Sequence, residues 1–99
     1  MHQYDVFRVL DGTLFVVLQA DYWTDDPAIK IVAPLRPAKD VATISRVDVP
    51  IRIDGVEYVA RMSQLGAIQV KTLHSEILAN VADQHDAFIA AIDLIFLGF

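Results

Sequence analysis

Few residues in this sequence are equipped for chemistry. The three histidines, His2, His74 and His85, stand too far apart to share the short spacings by which ligands on one element converge on a metal. His85 has Asp83 and Asp86 close by, but helix neighbours one and two positions apart point away from each other. The absence of cysteine removes thiolate catalysis, thiolate-bound metals and disulfides together. No glycine-rich phosphate loop, nucleophile elbow or paired-carboxylate pattern is present. Neither a metal nor an organic cofactor is therefore expected. The charge balance opposes a nucleic-acid substrate. With 13 acidic residues against 8 basic and a formal net charge of −5, a phosphate backbone is repelled at long range unless basic residues gather on one face. The expectation is a protein that is not an enzyme and does not bind nucleic acid alone.

Recognition of other proteins is better represented. Hydrophobic residues make up 55% of the 99 residues and charged ones only 21%. A single domain of this size hides only about 60 to 68% of its unfolded surface, so an apolar excess predicts a homo-oligomer. Trp23 is the only tryptophan. It lies beside Tyr22 in the polar stretch DYWTDDP, and is either a lid on the core or an exposed anchor for a partner. Arg36, Lys39 and Arg46 fall in one aperiodic connection, a patch suited to an acidic partner. The N-terminus has no basic region followed by a long apolar run, and Ala87 to Phe99 is broken by Asp93 and shorter than the roughly 20 residues of a membrane span. A cytosolic protein, neither secreted nor membrane-inserted, is expected.

The elements that must position these residues are mostly strands. Tyr4 to Leu10 and Leu14 to Ala20 are bursts of β-branched and aromatic residues joined by Asp11-Gly12, a tight hairpin connection. Ala28 to Ala33 is extended, with Pro34 and Pro37 expected to end it. Leu35 to Asp48 reads as a basic surface connection with a short helical turn. Within Val49 to Arg61, a two-residue Asp54-Gly55 loop sets Ile53 opposite Val56, Arg52 opposite Glu57 and Ile51 opposite Tyr58, with Pro50 at a sheet edge or bend. Met62 to Gly66 is a turn, and Ile68 to Leu73 alternates as a half-buried strand. From Asn80 the period becomes helical: Val81, His85, Phe88, Ile89, Ile92, Ile95, Phe96 and Phe99 recur at three and four. Asn80 or Asp83 is the expected N-cap and Gly98 the C-cap. Val81, Phe88, Ile89 and Ile92 are the expected core face, and Ile95, Phe96 and Phe99 outrun what a small sheet covers. The fold class is β-rich α+β: five or six antiparallel strands in a curled sheet or SH3-like partial barrel, with a C-terminal helix.

These segments carry a family resemblance. FVVLQADYWTDDPAIKIVAPL, Phe15 to Leu35, resembles the FVDVQSD-type strand and loop, running to a VIPL strand end, of the CcdB toxins. DAFIAAIDLIFLGF, Asp86 to Phe99, is similar to that family's NAINLMFWGI-type helical ending. The resemblance implies a fold shared with the MazF-type endoribonucleases and the toxin half of a type II toxin-antitoxin pair. It implies a symmetric dimer whose C-terminal helices, through Ile92, Ile95 and Phe96, lie near the twofold axis. It also implies binding of the A subunit of DNA gyrase and trapping of its cleavage complex, with neutralisation by a partly disordered CcdA-like antitoxin. The family's gyrase-contacting positions fall on Tyr22, Trp23, Asp93, Phe96, Leu97, Gly98 and Phe99. Leu97 stands where the family has a stacking tryptophan and Asp93 where it has an asparagine. An acidic antitoxin tail matches Arg36, Lys39 and Arg46 in charge. The alternatives are a diverged homologue that keeps the antitoxin without poisoning gyrase, and a MazF-type ribonuclease, for which the shared fold implies Arg61 to bind phosphate, Ser63 to offer a hydroxyl and His74 to act as general acid.

Overall fold

A computed structural model describes residues 1–21, 29–70 and 75–98. Among these residues the strands are β1 (Asp5–Val9), β2 (Leu14–Val17), β3 (Ile29–Pro37), β4 (Val49–Ile53), β5 (Val56–Ala60), β6 (Gly66–Gln69) and β7 (Ser75–Asn80), followed by helix α1 (His85–Leu97). They form one curled antiparallel sheet in the order β4-β5-β3-β2-β1-β7, with β6 also on β3. This is the expected β-rich α+β class, with more strands than the sequence suggested.

The β4–β5 hairpin has the expected register: Ile53 opposite Val56, Arg52 opposite Glu57, Ile51 opposite Tyr58. Asp54 (φ 50°) and Gly55 (φ 79°) both occupy the left-handed region that a two-residue hairpin loop needs. Arg52 donates to Glu57 at 2.9 Å on the exposed face, and Pro50 lies on β4, an edge strand. The β1–β2 connection is wider than expected. Gly12 N–H donates to Val9 O at 2.9 Å and Val9 N–H to Thr13 O at 3.0 Å, a three-residue loop in which only Gly12 (φ 94°) is left-handed.

Pro34 does not end β3. It pairs with Phe15 inside the strand, and its carbonyl accepts Arg61 N–H at 2.8 Å. A strand residue's N–H and C=O share one edge, so the missing N–H of Pro34 belongs on the edge where β3 leaves β6, paired as far as Val32, and joins β5 from Leu35 onward. No ladder bond is lost there. The expected helical turn appears at Ala38–Asp40. β6 starts at Gly66, two residues earlier than expected, and Lys71 to Leu73 lie outside the described residues. β7 was not anticipated; it pairs with β1 across a register shift at Val6/Phe7.

Alternation along the strands gives the sheet two apolar faces. Tyr4, Val6, Leu14, Val16, Ala33, Leu35, Ile51 and Met62 join Phe88 and Ala91 of α1 in the main core, while Phe7, Val17 and Val32 form a second cluster. Phe88 is fully buried and Val56 is half exposed. Phe88→Ala should therefore cost about 3 to 5 kcal/mol in urea denaturation, whereas Val56→Ala should stay within about 0.5 kcal/mol.

Candidate functional site

The C-terminal helix is seated by one residue at the other end of the chain. Tyr4 has φ 66°, a left-handed value uncommon for a bulky residue, at the third position of a turn closed by Asp5 N–H to His2 O at 3.0 Å. Glycine normally fills that position, but glycine would bring no ring. Here the ring stacks on Phe88 at 5.2 Å and meets His85 edge-on at 5.5 Å. Its hydroxyl hydrogen-bonds Nδ1 of His85 at 2.6 Å, and its carbonyl accepts Val81 N–H at 2.9 Å. Strain at Tyr4 is thus held by four contacts to the helix and its approach.

That approach is a 3-10 turn, Ala82–Gln84. Asn80 caps the turn, accepting Ala82 N–H at 3.0 Å, and neither Asn80 nor Asp83 caps α1 itself. At the far end Gly98 (φ 81°) closes the helix as expected, its N–H bonded to Leu94 O at 3.2 Å.

With Phe88 fixed, rotation of about 100° per residue assigns every other side chain. Ala91 is buried beside Phe88, and Ile92 and Ile95 pack half-buried against the same core. Ile89 corrects the expectation of a core residue: one position past Phe88, it is turned out and 39% exposed. Ala91 is buried in its place, about 300° on from Phe88 and so back on the core side. Phe96, a little over two turns beyond Phe88, falls on the same outer flank as Ile89 and is 65% exposed, and Leu97 is 62% exposed. Asp93 is half-buried and makes no ion pair with any described residue. The free side of α1 thus carries the large apolar side chains Ile89, Phe96 and Leu97 together with the carboxylates of Asp86 and Asp93. Tyr22, Trp23 and Phe99 lie outside the described residues.

The other candidates are dispersed. Arg36, at the end of β3, Lys39, in the 3-10 turn, and Arg46, in the connection to β4, are all exposed. Ser63 is exposed in the 3-10 turn Met62–Gln64, and His74 lies outside the described residues. Arg61 is engaged elsewhere. Its Nε lies 3.5 Å from Oδ1 of Asp48, whose side chain is fully buried, and the other Asp48 oxygen accepts Ser45 N–H at 2.8 Å. An arginine neutralising a buried carboxylate is poorly placed to take a phosphate. Among the described residues no group of three His, Cys, Asp or Glu side chains is positioned for a metal. No described helix is long and apolar enough to cross a membrane.

A family model described as CcdB protein matches residues 3–98, a span holding every described strand and the whole of α1. The chain belongs to the CcdB family. It is thereby a toxin of a toxin-antitoxin system, with an antitoxin as its general class of partner. No curated protein matches it.

The seat of α1 in this toxin has a pH signature. Burial, and secondarily the charge of Asp86, raise the Tyr4 phenol above its ordinary value. The folded protein therefore keeps a proton that the unfolded chain releases near pH 10. Stability is intact below about pH 10 and falls as pH rises toward the folded value. In Tyr4→Phe this alkaline loss should shrink, while loss of the hydrogen bond lowers stability at neutral pH by about 0.5 to 1.5 kcal/mol. Urea denaturation at neutral pH and in mild alkali reads both effects.

Proposed function

We propose that this toxin acts by binding the A subunit of DNA gyrase through the end of α1 and trapping the enzyme on cleaved DNA. The observation that carries the reading is the exposure of Ile89, Phe96 and Leu97 on a helix whose opposite side is fixed in the core. Large apolar side chains held on a rigid element and bordered by polar residues are what a protein target recognises. Asp93 beside them must be paired by the target or left wet, and Leu97 presents apolar area without an indole donor. Tyr22, Trp23, Gly98 and Phe99 complete the proposed contact.

The acting species is a cytosolic homodimer. Ile92 and Ile95 are only half covered by their own protomer, and together with Phe96 they supply an isologous seam near a twofold axis. A CcdA-like antitoxin of acidic character contacts Arg36, Lys39 and Arg46, three exposed cations without ion pairs to any described residue. The toxin is not itself an enzyme in this reading, and the Arg61–Asp48 pair speaks against the ribonuclease alternative.

Two experiments test it. Light scattering at micromolar concentration should give the dimer mass, and Ile95→Asp should dissociate or unfold the protein, because two carboxylates would then face each other across the axis; a monomeric parent rejects the seam. Supercoiling and cleavage assays with purified gyrase, run beside a total-RNA digestion, should show cleavage complexes and intact RNA. Deleting Leu97, Gly98 and Phe99 should abolish gyrase trapping and leave folding and antitoxin affinity in place. Trapping that survives the deletion moves the site elsewhere. An inert parent makes this a family member that keeps the antitoxin alone.

A further inference from the structure

We infer that the groove between the β1–β2 loop and the end of β3 is an oxyanion-binding subsite, taking a phosphate monoester or carboxylate group. The groove has a volume of about 320 Å³, and Arg8, Arg36, Thr13, Tyr58 and Asp40 line it over an apolar floor that includes Leu35. Arg36 is exposed and makes no ion pair or hydrogen bond with any described residue. Among the described residues the one ion-pair partner of Arg8 is Glu76, 3.9 Å away with both side chains about half exposed or more. A pair that long and wet holds its arginine weakly. Two guanidinium groups therefore line one concavity, neither firmly neutralised, on a chain of net charge −5.

That arrangement has a specific chemistry. A guanidinium fork matches the paired oxygens of a carboxylate or phosphate, and two forks in a cleft concentrate field on whatever anion enters it. Thr13 and Tyr58 add neutral hydroxyl donors. Asp40, the single carboxylate of the lining, leaves the lining residues with one positive charge in excess, and Glu76 beside Arg8 trims the field further, which suits one small oxyanion and disfavours a polyanion. The inference is independent of the reading of α1, and it narrows the role given there to Arg36.

Nuclear magnetic resonance titration of the full chain tests it, with inorganic phosphate in one arm, N-acetylglutamate in the other, and chloride holding ionic strength constant. Saturable shifts should appear at the Gly12 and Thr13 amides and at Arg36 Nε–H. Arg36→Gln and Arg8→Gln should each weaken binding about tenfold or more, and Asp40→Asn should tighten it. Tighter binding of phosphate assigns the subsite to phosphate monoesters, and tighter binding of N-acetylglutamate to carboxylates. Shifts that stay linear in both arms, or that persist unchanged in Arg36→Gln, overturn the inference. Neither gyrase nor an antitoxin is present, so failure here is distinct from failure of the target-binding reading.

Discussion

One strand has to satisfy three neighbours, and the rest of the fold follows from how β3 does so. Its nine residues pair with β2 along one edge, and with β6 and then β5 along the other. Two partners thus follow one another on a single edge of β3, within a sheet that twists and curls. Pro34 stands at the changeover, where the residue that cannot donate is the one from which no donor is required. Its free carbonyl takes Arg61 N–H, which brings Arg61 to within ion-pair distance of the buried Asp48. The long connection before β4 is thereby tied to the turn after β5.

The curl gives α1 a concave seat, and Tyr4 sets the helix's rotation within it. Because Phe88 is stacked on the Tyr4 ring, no other face of the helix can be buried without breaking that contact. Exposure of Phe96 and Leu97 is thus a consequence of the core and not a local accident. A helix buried on one side and apolar on part of the other has more apolar surface than its own chain covers.

What was legible in the sequence depended on whether local chemistry alone decided the outcome. Asp54-Gly55 fixed a hairpin to the residue, because loop length and left-handed preference leave one register. Gly98 was readable for the same reason. Pro34 misled because its meaning lies in a partner change between strands distant in sequence. β7 escaped because SEILAN sits at a sheet edge with four of its six residues exposed, so it needs no alternation of apolar and polar residues. Ile89 and Ala91 exchanged roles because periodicity registers apolar character and not the direction of Phe88. The same blindness covered the candidate site: a stripe of Ile and Phe reads identically whether a protomer's own sheet or a partner covers it. The groove of Arg8 and Arg36 gave no motif at all, since its residues come from β1, the β1–β2 loop, β2, β3, the Ala38–Asp40 turn and β5.

The two surfaces differ in the force they use, and they are built on separate elements. The end of α1 offers desolvation of large side chains, which is insensitive to salt, and it packs on β4 and the Met62–Gln64 turn. The groove offers guanidinium groups on a net acidic chain, an attraction that salt weakens. Changes at Arg8 or Arg36 share no contact with Phe96 or Leu97, and effects at sites without shared partners add. On the target-binding and oxyanion readings, strength would be lost at one surface and kept at the other, because the groove and the end of α1 are built on different elements.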